Sequence, residues 1–223
     1  MLPWRYIVVE GVIGVGKTSL TKLLATRLGG RLNLEVVEEN PFLAKFYRDR
    51  EAYAFQTQIF FLLSRYRQQQ GLVQPELFSQ TLVSDYLFAK DRIFANLNLA
   101  DDELALYGQL ATILEQRVLK PDLVIYLQAR TEMLQQRIRW RGRAFEQDMD
   151  EGYLEALNGA YSYFFHHYKD APLLVVNTDN LDFVNVPGDF ELLFEQLGER
   201  FTGTRYYAPD SGAAWPGGRA EGN

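Results

Sequence analysis

Five short apolar stretches divide the chain, and longer segments between them carry apolar residues at helical spacing. The first stretch, residues 6–9 (Tyr-Ile-Val-Val), shows no polar alternation, which is typical of a strand buried on both faces of a parallel sheet. The other four are residues 32–37, 81–84, 123–127 and 173–176. Because helical segments separate the strands, the pattern predicts a doubly wound α/β fold with a five-stranded parallel sheet.

The intervening segments give the helices and the limits of the domain. Residues 19–28 form the first helix, which Gly29 and Gly30 end, and residues 52–69 form a long helix with a broad aromatic face. The remaining helices are predicted at residues 42–48, 93–97, 102–119, 131–141, 150–168 and from 187 to about 201. We expect one domain over residues 1–202. Residues 203–223, rich in Gly, Ala and Pro, are predicted to be a disordered tail.

Composition narrows the class of protein. The 223 residues are 47% hydrophobic, which suits one compact domain with a substantial core. The net charge of −6 lacks the basic excess of a protein whose main partner is nucleic acid, so we expect no such partner. There are no cysteines, which excludes disulfides and thiolate metal sites. No stretch approaches the ~20 apolar residues of a membrane span, and the first apolar run is too short for a signal peptide. We therefore expect a cytoplasmic protein without a membrane partner.

A complete phosphate-binding motif lies between the first strand and the first helix. It matches G-x-x-x-x-G-K-[ST] as Gly11-Val12-Ile13-Gly14-Val15-Gly16-Lys17-Thr18. Its glycines let backbone N–H groups approach phosphate oxygens, and the following helix adds its positive N-terminal end. Lys17 can reach the β- and γ-phosphates, and the Thr18 hydroxyl can bind Mg²⁺. The motif predicts an ATP site with Mg²⁺ as cofactor.

The motif does not identify the phosphoryl acceptor, because motor ATPases, GTPases and small-molecule kinases share it. The chain lacks the N-K-x-D sequence with which GTPases read guanine, and no hydrophobic strand ends in Asp-Glu as in many ATPase motors. A small-molecule kinase is therefore favoured. Two alternatives stay open: a nucleoside monophosphate kinase such as a thymidylate kinase, and a nucleotide-binding regulatory protein without turnover.

Two acids follow predicted strands on the edge where open α/β sheets bind ligands. Glu35 ends the second strand, where a carboxylate can accept the proton of an attacking hydroxyl; Glu38 and Glu39 are competitors, and a solvated acidic loop is the structural alternative. Asp85 ends the third strand and can hold Mg²⁺ with Thr18, although it could instead cap a helix.

Four arginines crowd a short segment around Gly142. They are Arg137, Arg139, Arg141 and Arg143. A guanidinium cluster that folds over a triphosphate neutralises charge developing on the transferred group and excludes water, so the segment is predicted to be a lid. A basic, solvated helix end is the structural alternative.

Gln58 and Arg65 lie seven positions apart on the long helix and therefore on one face. With neighbouring aromatic residues they could read the edge of a nucleobase. The structural alternative is an ordinary half-buried helix.

In this order along the chain, from about residue 6 to residue 201, the residues resemble the deoxyribonucleoside kinase family, especially its bacterial deoxyguanosine and deoxyadenosine kinases. Glu35-Val36-Val37 resembles the family's Glu-Pro-Val, which implies Glu35 as general base for the 5′-hydroxyl; since the proline is absent, Glu38 stays an alternative. The segment from Asn40 to Tyr47 is similar to the bacterial branch, and the resemblance implies that Tyr47 contacts the sugar 3′-hydroxyl.

The resemblance continues through the base-binding segments. The spacing to Arg65 favours Gln58 as the amide that pairs with the base, whereas the Phe-Gln pairing favours Gln56; Gln58 is preferred. The family's Asp/Glu-Arg-Ser appears as Asp85-Tyr86-Leu87, so only the acid is kept and the arginine is missing. Phe94 matches the aromatic residue that stacks on the base.

The C-terminal half of the chain also matches. Residues 137–143 closely resemble the family lid, which implies that Arg137, Arg141 and Arg143 act with Lys17 on the γ-phosphoryl group. Glu146 matches the acid that binds the 3′-hydroxyl. The loop at Asp182 and Phe183 resembles the one that holds the ATP adenine. The resemblance implies an ATP- and Mg²⁺-dependent kinase of deoxyribonucleoside 5′-hydroxyls, with deoxyguanosine or deoxyadenosine as substrate, that forms a homodimer.

Overall fold

The computed structural model describes residues 2–72, 80–143 and 150–209. Within them, six strands form one parallel sheet in the order β2-β3-β1-β4-β5-β6, flanked by eight α-helices. The strands are β1 (Tyr6–Gly11), β2 (Arg31–Asn33), β3 (Leu82–Ser84), β4 (Leu123–Gln128), β5 (Leu173–Asn177) and β6 (Thr204–Tyr207). The predicted α/β class and parallel sheet are confirmed.

The helices lie between the strands, as the spacing predicts. They are α1 (Lys17–Leu28), α2 (Leu43–Arg48), α3 (Arg50–Gln70), α4 (Asp91–Asn98), α5 (Asp101–Glu115), α6 (Thr131–Arg141), α7 (Glu151–His167) and α8 (Pro187–Glu195). A single turn of 3-10 helix, Phe88–Lys90, leads directly into α4. Among the helices of the described residues, none has both the length and the apolar composition to cross a membrane.

The predicted count of five strands is wrong, because Thr204–Tyr207 adds a sixth strand at the edge of the sheet. It pairs with β5 over residues 173–176 and lies within the segment predicted to be a disordered tail. Tyr207 packs against the main core, so this short strand gains apolar contact as well as backbone hydrogen bonds. Residues 210–223 lie outside the described part of the chain.

The second strand is shorter than predicted, ending at Asn33 rather than near residue 37. Side chains satisfy the backbone groups beyond it. The Glu35 N–H donates to Asp85 Oδ1 at 2.7 Å, and Gln68 Nε2 donates to the carbonyl of Leu34 at 3.0 Å. These bonds replace ladder pairing and direct the chain from the sheet edge toward α3.

The centre of the sheet places the candidate site. β1 and β4 pair through the core, and their apolar side chains are almost completely buried. β1 lies between β3 on one side and β4 on the other, so the strand order reverses around it. In open α/β sheets, ligands bind beyond the carboxyl ends of the strands at such a reversal. The phosphate-binding motif begins at that point.

Candidate functional site

The phosphate-binding loop runs from the end of β1 into α1. Gly14 and Gly16 adopt φ angles of +87° and +103°, a left-handed backbone that favours glycine. A Cβ atom on Gly14 would come within 2.9 Å of the carbonyl oxygen of Leu134, so the loop packs closely against α6. The glycine pattern therefore serves both backbone conformation and packing against the helix that carries the predicted lid.

Lys17 folds back over this loop. Its Nζ donates to the carbonyls of Gly11 at 2.7 Å and Val12 at 3.2 Å. Burial lowers the pKa of the ammonium to about 8, against the opposing effect of the nearby Glu10 carboxylate. Because burial deprives the Lys17 ammonium of solvation, a phosphate anion that pairs with it would be favoured at this position.

Thr18 and Asp85 meet beside the loop. The Thr18 hydroxyl donates to Asp85 Oδ2 at 2.7 Å, while Asp85 Oδ1 accepts from the backbone of Glu35. In the described part of the chain, no group of three or more His, Asp or Glu side chains could hold a metal ion by itself. A hydroxyl next to one carboxylate fits Mg²⁺, which usually keeps few protein ligands and completes its shell with phosphate and water oxygens.

Glu35 lies between two cations. Arg65 Nε donates to its Oε1 at 2.9 Å and Nη2 also contacts that oxygen, while Lys90 Nζ donates to Oε2 at 2.7 Å. Burial acts to raise the pKa of Glu35, but Arg65 and Lys90 outweigh it and hold the pKa well below its usual range. The carboxylate is therefore ionised at neutral pH and fixed through both of its oxygens.

The Arg65 guanidinium bridges two buried acids. One side contacts Glu35 and the Nη1 atom forms an ion pair with Asp91 at the start of α4. The side chains of Arg65 and Asp91 are almost fully buried. This carboxylate–guanidinium–carboxylate arrangement ties α3 to α4 and to the segment after β2.

A further buried acid, Glu10, lies at the end of β1 and is completely inaccessible to solvent. It accepts hydrogen bonds from the backbone N–H groups of Gly11 at 2.9 Å and Leu87 at 2.8 Å, and from the Tyr161 hydroxyl at 3.3 Å. Its Oε2 lies 4.0 Å from Lys90 Nζ. Glu10 thus links the loop, the segment after β3 and helix α7.

Lys17, Thr18, Asp85, Glu35 and Arg65 line one cavity of about 280 Å³. It lies between the phosphate-binding loop, the segment after β2, and helices α2, α3 and α4. The structure brings most of the predicted acceptor-side residues to its wall, together with the metal candidates: Lys17, Thr18, Glu35, Tyr47, Gln58, Arg65, Asp85, Phe94, Arg141 and Arg143. The residues predicted to bind ATP and those predicted to bind the phosphoryl acceptor are far apart in sequence but line the same cavity.

The geometry separates the two glutamines that the sequence left in competition. Gln58 lines the cavity and is buried, and its Oε1 has no hydrogen-bond partner among the described residues. Gln56 is exposed on the opposite side of α3. A buried amide oxygen without a partner carries a free-energy cost that a donor on a bound ligand would remove.

The competing acids differ in exposure. Glu35 and Glu38 both line the cavity, but Glu35 is largely enclosed, whereas Glu38 and Glu39 are exposed. Glu38 pairs instead with Arg143 at 3.4 Å across the cavity mouth.

The predicted lid is divided between two positions. Arg137 lies against the phosphate-binding loop: its Nη1 donates to the Thr178 hydroxyl at 3.0 Å and the carbonyl of Val15 at 3.4 Å. Arg141 and Arg143 line the cavity, while Arg139 pairs with Glu151 on the surface. Glu146 lies outside the described residues.

The predicted adenine loop lies on the other side of the phosphate-binding loop. The Phe183 ring is buried, and its nearest carbon is 3.0 Å from the position that a Cβ on Gly16 would take. The Asp182 carboxylate accepts hydrogen bonds from the backbone N–H and side-chain amide of Asn185. The two residues do not line the acceptor cavity, which is consistent with a separate position for the donor base.

Sequence reasoning missed three charged residues of the site: Glu10, Lys90 and Asp91. A signal existed, because the charged residues Lys90-Asp91-Arg92 interrupt an otherwise apolar stretch between Leu87 and Ala95. Charged residues inside a buried segment are rare unless paired, so the interruption indicates buried partners. The identity of those partners, Glu35 and Arg65, required the tertiary structure.

Comparison with known proteins agrees with this arrangement. The family profile described as "Deoxynucleoside kinase" matches residues 7–202. A deoxyguanosine kinase of Bacillus subtilis is 35% identical over 199 residues, which cover 87% of this chain and 96% of that protein. A deoxyadenosine kinase of Lactobacillus acidophilus is 33% identical over 206 residues, covering 86% and 94%.

Solved structures give the same result. The structure of deoxyadenosine kinase from M. mycoides with bound dATP superposes with a TM-score of 0.75 at 28% identity, covering 87% of this chain and 100% of that one. The predicted P-loop kinase fold is confirmed. The profile spans most of the chain and includes both the phosphate-binding loop and the acceptor cavity. The chain belongs to the deoxynucleoside kinase family.

Proposed function

We propose that this protein transfers the γ-phosphoryl group of ATP to the 5′-hydroxyl of a deoxyribonucleoside. One observation carries the proposal: a single cavity joins Lys17 and Thr18 of the phosphate-binding loop to an ionised carboxylate, Glu35, and to the buried amide of Gln58, whose Oε1 has no partner among the described residues. Lys17 and Thr18 can bind a triphosphate and its metal ion, the carboxylate can accept a proton from a hydroxyl, and the amide can form hydrogen bonds with the edge of a base.

In this proposal Glu35 accepts the proton of the attacking hydroxyl. A carboxylate has about four acceptor positions, and among the described residues Oε2 accepts from Lys90 alone. That oxygen retains room for a hydroxyl donor. Phosphoryl transfer passes through a loose transition state, so orienting the hydroxyl matters more than strong basicity. A carboxylate with a low pKa is adequate for that role.

On the donor side, Lys17 and the lid arginines neutralise charge on the transferred group. Arg141 and Arg143 already line the cavity, and Arg137 reaches the loop from α6. Thr18 and Asp85 would hold Mg²⁺, which supplies further neutralisation at the phosphates. Phe183 with Asp182 would border the adenine.

On the acceptor side, Gln58 would pair with the nucleobase and Phe94 would stack on it, while Tyr47 would contact the sugar. Phe94 is held edge-on against Tyr161, with ring centroids 6.1 Å apart. The relatives above are named as deoxyguanosine and deoxyadenosine kinases. We therefore propose a purine deoxyribonucleoside as substrate. Glu146, outside the described residues, would bind the 3′-hydroxyl.

The test is a panel of the four deoxyribonucleosides with ATP and Mg²⁺, with the 5′-monophosphate products identified by mass spectrometry. We expect turnover of deoxyguanosine or deoxyadenosine. Glu35→Gln should lower kcat by about 10²- to 10³-fold while ATP binding is kept, because only the acceptor loses its general base. Glu39→Gln, an exposed neighbour, should stay within about threefold of wild type.

Two results would count against these assignments. Full turnover in Glu35→Gln together with its loss in Glu38→Gln would move the general base to Glu38. Phosphorylation of dTMP without phosphorylation of any nucleoside would make the protein a monophosphate kinase instead.

The proposal extends to a homodimer in the cytoplasm, where ATP and Mg²⁺ are supplied. An apolar stripe on α5 supports the dimer: Leu106, Leu110 and Ile113 share one helix face and are substantially exposed. Such a stripe is costly to leave in water, and a second copy would cover it.

A further inference from the structure

Lys90 is an unusually buried lysine. It is 3% exposed and ends the 3-10 turn that leads into α4. Taking an ammonium out of water costs several kcal/mol unless opposite charges and hydrogen bonds replace the lost solvation. The structure supplies two carboxylates, with Nζ 2.7 Å from Glu35 Oε2 and 4.0 Å from Glu10 Oε2.

These two contacts connect Glu35 to a rigid part of the fold. Glu10 is completely buried and accepts hydrogen bonds from the backbones of Gly11 and Leu87, so its position is fixed by β1 and by the segment after β3. Lys90 is therefore anchored on one side by a carboxylate that cannot move freely. The contact of Lys90 Nζ with Glu35 Oε2 therefore restricts the position of the Glu35 carboxylate as well.

Arg65 alone does not fix the orientation of the Glu35 carboxylate. Both of its contacts fall on Oε1, which leaves rotation about that oxygen unconstrained. Lys90 holds Oε2, the other oxygen. The two cations together set the plane of the carboxylate, and a general base must present a lone pair within hydrogen-bond reach of the hydroxyl.

We propose that Lys90, anchored by Glu10, is the positioning residue that orients Glu35 toward the acceptor hydroxyl. This inference rests on the proposed function and deepens it. Tyr86, at the position where the resembling motif carries arginine, is fully buried, and its phenol supplies no positive charge. Lys90, four residues further along the chain, supplies a cation to Glu35.

A purely structural counter-ion predicts a different result from a positioning residue. Loss of a counter-ion lowers stability and affects turnover only through folding. Loss of a positioning residue lowers kcat in protein that is still folded and still binds ATP, and its effect depends on the presence of the Glu35 carboxylate.

The experiment measures kcat, both KM values and thermal stability for Lys90→Met, Lys90→Arg and the control Lys45→Met. Lys45 is exposed on α2 and lies outside the cavity. We expect Lys90→Met to lower kcat by about 10- to 100-fold, with the KM for ATP within about threefold of wild type. Lys90→Arg should recover most of the loss because it restores a cation, and Lys45→Met should match wild type.

The decisive comparison is made in the Glu35→Gln background. In that background, Lys90→Met should lower kcat by less than about threefold further, because no ionised carboxylate remains at position 35 to be oriented. Lys90→Gln, which keeps a polar head group without the charge on a side chain one bond shorter, is measured in parallel and takes the place of Lys90→Met if that variant does not fold.

Each outcome bears on one conclusion. An unchanged kcat in the uncharged variant, or an equal further loss in the Glu35→Gln background, overturns the positioning role. Absence of nucleoside turnover in the wild-type protein overturns the proposed function, and the positioning role with it. Wild-type turnover that is lost in Glu35→Gln but kept in the uncharged variants Lys90→Met and Lys90→Gln overturns the positioning role alone.

Discussion

The two halves of the cavity that we propose as the active site are built in different ways. On the proposed donor side, eight consecutive residues from Gly11 to Thr18 form the phosphate-binding motif, largely from backbone and one lysine that bonds within the same loop. On the acceptor side, Glu35, Arg65, Lys90 and Asp91 come from three separate parts of the chain and hold each other through buried ion pairs.

This difference has a physical origin. Phosphate is recognised by N–H groups and a helix end, which every residue of a suitable loop can supply, so a local sequence pattern is sufficient. A hydroxyl and a base edge are recognised by particular side chains at fixed distances, and buried charges must be paired before they can hold such positions. We therefore expect substitutions on the acceptor side to impair use of the nucleoside and to leave ATP binding unchanged. Substitutions on the donor side should have the opposite effect.

The largest expected effect comes from removing the charge of the lysine in the phosphate-binding loop. Lys17→Met should lower kcat/KM for ATP by about 10³-fold, because a preorganised cation at the transferred phosphate is lost. Nucleoside affinity, measured by equilibrium binding without ATP, should change by less than about threefold. Steady-state kinetics and calorimetry give the two numbers. A comparable loss of nucleoside affinity would show that the two halves are energetically one unit.

A smaller effect is expected on the acceptor side. Gln58→Ala should lower kcat/KM for the preferred nucleoside by about 10- to 100-fold, because a buried polar partner of the base is removed. The KM for ATP should stay the same. Gln56→Ala on the exposed side of α3 is the matched control and should behave as wild type. If Gln56→Ala were the damaging substitution, the base would lie on another face of the helix.

The smallest effect concerns protons rather than rate. Burial lowers the pKa of Lys17 to about 8, so in the ligand-free protein at pH 8 about half of these lysines are neutral. Phosphate anions favour the charged form and raise this pKa, so ATP binding should take up about half a proton at pH 8 and almost none at pH 6.5. Calorimetry in buffers of different ionisation enthalpy measures the uptake.

The control for this experiment is Lys17→Arg, whose guanidinium does not titrate in this range. Its proton uptake should be close to zero at both pH values. Equal uptake in the variant and in the wild type would assign the proton to another group and would remove Lys17 from the comparison. Nucleoside binding, which meets no titrating donor-side group in this scheme, should show no uptake at pH 8.

The fold could be predicted to a large extent. Uninterrupted apolar runs, which are typical of buried strands, predicted β1, β3, β4 and β5. Apolar residues at helical spacing predicted the helices between them. The sequence did not predict β6, whose half-exposed residues at the sheet edge carry little apolar signal. It also extended β2 too far, because side chains of Asp85 and Gln68, distant in sequence, satisfy the backbone that would otherwise pair.

The candidate site divides in the same way. Lys17 and Thr18 could be predicted from the phosphate-binding motif, and Glu35 and Asp85 from their positions at the carboxyl ends of predicted strands. The roles of those residues stay proposals. Lys90 lies beyond the third strand on a short turn, and its signal in the sequence is a run of charges within an apolar stretch, which does not identify the residues that it pairs with.

The layered α/β architecture and the phosphate-binding motif follow from short-range patterns of the chain: apolar periodicity, glycine conformation and the start of a helix. Which buried charges meet is seen only in the folded chain. Lys90 reaches Glu35 and Glu10, and Arg65 joins Glu35 to Asp91, across separations of up to 80 residues along the chain. The strength of an ion pair in a buried site depends on the distance between the charges and on the loss of solvent around them. Neither quantity can be predicted from neighbouring residues in the sequence.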